Sequence, residues 1–231
     1  MIIKELTLLT DDLIETERFY TEVLGLTMVD KTESGVSFSA GATLLRFEKS
    51  TGQKPRYHFA FNIPTNTVDD AFRQMSAKLE LLPISDISKI ADFVNWNAKS
   101  FYFYDNNSNI LEFIGRFDLG KQETSSFTAA SVLCVSEIGL PVKNVKKECE
   151  ALISRYGFAY FAKQPPSDTF SVIGEDTGLL IVVPIGRNWY PTNDMASEAH
   201  YVRLIIMHSG KEMTLSYHES TIPKTTEKQP K

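Results

Sequence analysis

At 231 residues the chain is long enough for one large or two ordinary domains, and with 42% of its residues hydrophobic it has the material for buried cores. Its formal net charge of −5 argues against the basic surface that nucleic-acid binding ordinarily needs, so the expected partner is a small molecule. The longest apolar runs, such as Gly178–Pro184, fall far short of the roughly 20 residues of a spanning helix, and no membrane partner is expected.

Met1 to Glu5 runs straight into a strand-like alternation, without the basic start, apolar core and small-residue cleavage site of a secretory signal, so a cytoplasmic location is expected. Cys134 and Cys149 are too few for a disulfide framework and are not spaced as a metal-binding pair; both are expected as buried, reduced thiols.

In chain order, residues 5–10 alternate as a strand with Glu5, Thr7 and Leu9 on one face. Asp12 then offers a helix N-cap, Leu13, Thr16, Tyr20 and Leu24 fall at helical spacing, and Gly25 supplies the stop. Three short strands follow over 26–30, 35–39 and 43–47, completing a βαβββ unit. The order repeats: a strand over 57–63, an amphipathic helix over 68–79, and strands over 81–87, 100–104 and 110–114. A loop over 92–97 carries Trp96, read either as a lid over a pocket or as a hydrophobic plug. Residues 1–117 are thus expected to form one complete domain of two units.

The polar, aperiodic stretch 118–131 reads as a linker. Beyond it a constant offset of 132 residues aligns Glu5 with Glu137, Asp12 with Asn144, Gly25 with Gly157 and Phe38 with Phe170. Residues 132–220 are therefore expected to be a diverged copy of the first half. It is also truncated, because too few residues separate the strand-like runs 200–206 and 213–217 to hold a helix. The polar tail 221–231 is expected to be disordered.

Chemistry concentrates in Phe101 to Ile114, two short β-runs joined by the turn-forming stretch Asp105 to Asn109. Strand alternation puts Ile110, Glu112 and Ile114 on one face and Leu111 and Phe113 on the other, so Glu112 sits between two isoleucines. A carboxylate on an apolar face requires compensation. A Lys, an Arg or solvent at a sheet end would supply it, as would a metal ion shared with a strand carrying His or Glu.

The tandem βαβββ units, Asp12-Leu13, the stretch Phe19 to Leu26, His58 to Phe61 and the closing Asp105 to Glu112 together resemble the vicinal oxygen chelate superfamily, which includes glyoxalase I, extradiol dioxygenases and fosfomycin and bleomycin resistance proteins. The resemblance spans nearly all of 1–117 and, more loosely, the second half. It implies an α+β fold in which paired units form two curled mixed sheets, with a divalent metal on the inner face of a cup. It also implies ligands at Glu5, His58 and Glu112, with Glu5 standing where many members have His. Such an oxygen-rich set suits Mn²⁺, Fe²⁺, Ni²⁺, Co²⁺ or Zn²⁺ and departs from the two-His, one-carboxylate triad of non-haem iron oxygenases. Because members exchange units between halves or subunits, a mixed site with Glu137 in place of Glu5 is also open, as is a second site from Glu137, His200 and Glu219.

The implied activity is that of a metal-dependent lyase, isomerase or epimerase on a small oxygenated substrate, with ring cleavage by a dioxygenase less favoured. The alternative is a metal-free binding or resistance protein of the same fold. Glu5 and Tyr102, with Tyr104, are the candidate acid–base groups. Arg46 and Arg187 are candidates for pairing with an anionic substrate, and the aromatic stretch Gly186 to Pro191 for walling the cup or joining the halves. A monomer or a homodimer fits this organisation.

Overall fold

The first and third units open on a strand and turn into a helix through an explicit side-chain cap. In the computed structural model, which describes residues 1–217, β1 (Ile2–Thr10) leads to Asp12, whose side chain accepts from the backbone N–H groups of Ile14 and Glu15, both at 3.0 Å, and starts α1 (Leu13–Arg18). The helix continues through one π-type turn, Phe19–Val23, and the chain reverses at Gly25 with φ +77°, a conformation glycine adopts without steric cost. β2 (Thr27–Lys31), β3 (Gly35–Ala40) and β4 (Thr43–Lys49) complete the unit. The second unit comprises β5 (His58–Asn62), α2 (Val68–Ser76), β6 (Ala91–Phe93), β7 (Ala98–Tyr104) and β8 (Ile110–Arg116).

The strand expected over 81–87 is absent. Leu81 and Ser85 make only isolated bridges, to Phe103 and Ser88, and β6 takes the edge position instead. Pro83 lies in that stretch and has no N–H to donate to a ladder.

The third unit runs β9 (Cys134–Val142), α3 (Val145–Tyr156), β10 (Ser171–Glu175) and β11 (Gly178–Pro184). Its missing strand survives as a single bridge between Tyr160 and Ile173. The sequence offset marks equivalent caps: Asn144 accepts from the Lys147 N–H at 2.9 Å, and Gly157 ends α3 with φ +71°. β12 (Val202–His208) and β13 (Lys211–Tyr217) form a final hairpin with no helix between them. Glu219 and the tail 221–231 lie outside the described residues.

Two curled mixed sheets result. One has the order β13-β12-β1-β4-β3-β2, the other β10-β11-β9-β5-β8-β7-β6. The first unit therefore hydrogen-bonds to the closing hairpin, Leu6 opposite Leu204, while the second unit bonds to the third, Phe59 opposite Ile138. The sheets do not divide at the 118–131 stretch. That stretch is itself packed: Phe127 is buried, its N–H donates to Asp70 at 2.7 Å and its carbonyl accepts from Gln74 at 2.8 Å.

The principal core draws Leu6, Leu8 and Phe47 from one sheet and Phe59, Phe113, Ile138 and Leu180 from the other, all within one cluster of buried side chains. Burying each such side chain contributes about 1.5–3 kcal/mol. Leu111 and Phe113 of β8 point into this core, whereas Ile110 and Ile114 belong to separate clusters on the opposite face. That opposite face of the second sheet is the inside of a cup.

Candidate functional site

Strand register assembles the site. Ala60 on β5 is paired on one side with Glu112 of β8 and on the other with Glu137 of β9, and Glu112 is in turn opposite Tyr102 of β7. The row across the sheet thus reads Glu137, Ala60, Glu112, Tyr102. The methyl of Ala60 leaves open the space between the two carboxylates, and His58, two residues earlier on the same strand face, closes it. Ligand atoms of His58, Glu112 and Glu137 all lie within 4.8 Å of one another, and all three residues are buried.

Each member has a fixed orientation. His58 donates its Nδ1–H to the carbonyl of Ile110 at 3.1 Å, which leaves Nε2 as the lone-pair nitrogen, 3.8 Å from Glu112 Oε2. Burial, opposed by that backbone bond and reinforced by the charge of Arg187, pushes the His58 pKa down to about 4, so the ring is neutral. Tyr102 donates its phenol to Glu112 Oε1 at 2.8 Å. Burial and then the neighbouring Glu112 raise the phenol pKa well above its usual value, so Tyr102 keeps its proton and is a donor, not a base. Burial first, and the charge of Glu137 second, push Glu112 up to about 8.

Glu137 is held differently. Its Oε1 accepts from the fully buried Arg116, which also reaches Asn62 Oδ1 at 3.2 Å and Asp176 at 3.4 Å and lies over the Trp96 ring at 5.4 Å. Lys163 bridges Asp176, at 2.7 Å, to Asp118, at 2.6 Å, and carries the charge network outward. The second oxygen of Glu137 is left to the cluster. A neutral imidazole nitrogen and two buried carboxylates make a donor set that fits a divalent cation. Such ions hold their ligands at about 2.0–2.2 Å, so donors already within 4.8 Å converge by side-chain adjustment.

Above the cluster is a cavity of about 250 Å³ walled by Phe93, Trp96, Tyr102, Phe170, Ile181, Trp189 and Tyr190, with Gln164 and Arg187 as its further polar groups. Trp189 lies 5.2 Å from the His58 ring, centroid to centroid. It fits because position 139 is glycine: a Cβ there would overlap the indole edge.

Of the residues marked in the sequence, the structure brings together His58, Glu112, Glu137 and Tyr102, with Trp96, Arg187 and the 186–191 stretch around them. Glu5 is not among them. It lies on β1 of the other sheet, where its Oε1 accepts from Arg203 at 2.8 Å and Thr7 at 3.1 Å. Arg46, opposite Thr7 on β4, is in that sheet too. Tyr104 packs, half-buried, beside the second cluster and does not line the cavity. His200 bonds to Glu198 at 3.0 Å and does not join Glu137, and Glu219 is outside the described residues. The strand β8 runs two residues beyond the expected Ile114, to Arg116. Continuing the alternation by two residues puts a cation on the face of Glu112.

Fold and cluster together define a glyoxalase-fold protein whose second sheet encloses a His–Glu–Glu pocket. Residues 2–113 match the family profile of the Glyoxalase/Bleomycin resistance protein/Dioxygenase superfamily. Among solved structures, a candidate dioxygenase from Bacillus subtilis subsp. subtilis str. 168 is similar over 95% of this chain and 86% of its own, at 13% identity and TM-score 0.61, a likeness of fold. A lactoylglutathione lyase from Agrobacterium tumefaciens is 24% identical over 52% of this chain and 97% of its own, with TM-score 0.43. The fosfomycin resistance protein FosX from Listeria monocytogenes, complexed with Mn(II) and sulfate, is 21% identical over 48% of this chain and 86% of its own, with TM-score 0.39. No curated protein matches the sequence significantly. Among the described residues no helix is long and apolar enough to cross a membrane.

Proposed function

We propose that His58, Glu112 and Glu137 hold one divalent metal ion and that the chain is a metal-dependent lyase, isomerase or epimerase acting on a small oxygenated substrate. The observation that carries this is the convergence of three buried donors from three adjacent strands beneath an aromatic cavity. When bound, the ion supplies Lewis-acid polarisation of neighbouring substrate oxygens. The side chains do the rest. His58 is fixed through Nδ1 so that Nε2 faces the cluster, Tyr102 holds one oxygen of Glu112 so that the other faces His58, and Arg116 holds one oxygen of Glu137. The aromatic walls replace polar surroundings on the cavity side of the cluster, which strengthens the electrostatic interactions within. One imidazole against two carboxylates differs from the facial triad of iron oxygenases, which favours the non-oxidative chemistries.

A second reading is supported by the same cation: with Arg116 on Glu137 and Tyr102 on Glu112, both carboxylates have partners without any metal, as a metal-free ligand-binding protein would require. Elemental analysis of protein purified without chelators separates the two. Near-stoichiometric metal that disappears in Glu112→Ala supports the enzyme. Its absence from repeated preparations supplied with Mn²⁺ or Ni²⁺ supports the binding protein.

A further inference from the structure

Among the described residues Arg187 is the one cationic side chain on the cavity wall, and it has no carboxylate of those residues within 4.0 Å. It is half-buried, yet among the described residues its guanidinium makes one hydrogen bond, from Nη1 to the neighbouring Asn188 carbonyl at 3.3 Å. Its guanidinium lies over Phe170, 5.2 Å from the ring centroid. A cation over one ring face and lacking an anion at its edge has most of its planar fork of donors free, the arrangement that suits a carboxylate or another oxyanion. The contrast with Arg116 is direct, since each nitrogen of that guanidinium donates to an acceptor, on Glu137, Asp176 and Asn62.

The rest of the cavity sets the body of the ligand. Trp96, Trp189, Tyr190 and Phe170 present ring faces and edges to a space of about 250 Å³, below the roughly 300–1,000 Å³ of pockets for drug-sized ligands. That volume suits a single ring. We propose that Arg187 is a specificity-determining residue that anchors the acid group of a one-ring aromatic acid, whose opposite end faces His58, Glu112 and Glu137. This assigns the substrate class of the site proposed above and rests on that cavity being the ligand site, but not on a metal being bound.

Both tryptophans of the chain line the cavity, so their emission reports its occupancy. Benzoate, benzamide and cyclohexanecarboxylate are titrated against the full-length protein, once treated with EDTA and once with Mn²⁺ added. Benzoate is expected to change the emission saturably and to bind about tenfold or more tightly than benzamide, as loss of a charge-assisted bond implies, and more tightly than cyclohexanecarboxylate. Arg187→Gln should abolish the preference over benzamide without changing benzamide binding, and Arg187→Lys should restore part of it. Equal binding of benzoate and benzamide, or a preference that survives in Arg187→Gln, overturns the proposal. So does cyclohexanecarboxylate binding as well as benzoate. Arg187-dependent benzoate binding in protein that takes up no Mn²⁺ would uphold this assignment and sink the metal site, whereas Mn²⁺ uptake without acid selectivity does the reverse.

Discussion

Arg116 and Glu112 set the electrostatics of the cup. Removing Arg116 strands Glu137 in a buried position with its nearest cation gone, and breaking a buried pair in this way costs about 3–5 kcal/mol. Urea unfolding of metal-free Arg116→Met should show a loss of that order, with part of it recovered on adding Mn²⁺; an unchanged midpoint would mean that the pair contributes nothing. Glu112 gives a pH signature. Its carboxyl, ordinarily at 4.5, is pushed up to about 8 by burial and by Glu137, so the folded state binds this proton more tightly than the unfolded chain. The associated stability is fully present below pH 4.5 and is lost as the pH rises through 8. His58, pushed down to about 4 from 6.5, acts in the opposite sense and only on the acid side, because its contribution is present above 6.5 and lost as the pH falls through 4. Asp105, raised to about 6 by burial, has largely finished titrating by then. Between about pH 6.5 and 8 the metal-free protein should therefore lose thermal stability with rising pH, and because burial also raises Glu137, Glu112→Gln should reduce that slope and not abolish it; a slope unchanged by the substitution contradicts the assignment. Alternation alone made the isolation of Glu112 legible in the sequence. It did not reveal Arg116, because the end of a strand is not encoded in the period.

At the scale of elements, β9 contributes both a carboxylate and a space. Glu137 reaches the cluster, and Gly139, next on the same face, admits Trp189 against His58: a Cβ would lie 2.7 Å from Trp189 Cζ2 and 3.3 Å from the His58 carbonyl oxygen. Gly139→Ala should displace the indole, cost about 1–3 kcal/mol as overpacking does, and shift the emission of the buried Trp189 to the red. An unshifted spectrum with wild-type stability would show that the ring has room to spare. Helices α1 and α3 were the most legible elements because their caps are chemically explicit: Asp12 and Asn144, Gly25 and Gly157, stand at one constant offset and do the same work. The 81–87 segment misled because its apolar residues suggest a strand while Pro83 leaves its ladder incomplete, and Leu82 and Ile84 instead pack beside the cup.

For the whole molecule, the decisive feature is which unit pairs with which. Alternation states which face a residue takes but not which strand lies beside it, so the sequence carried no signal that β1 would meet β12 and β5 would meet β9. That pairing brings Glu137 to His58 and Glu112 and leaves Glu5 with Arg203. It also makes the two halves interdependent. Residues 1–117 expressed alone should not yield a stable monomer, since the edges of both β1 and β5 and the apolar surface beneath them lose their cover. Light scattering with thermal denaturation checks this, and a cooperative melt from a monomeric fragment would contradict it.

If three strands from two units present one ion site, a crystal structure of the full chain soaked in Mn²⁺ will show it. A single ion bound by His58 Nε2 and by oxygens of Glu112 and Glu137 at about 2.0–2.3 Å is the predicted result. Density for the side chains with no ion between them, or an ion held elsewhere with Glu112 still bonded only to Tyr102, would contradict it.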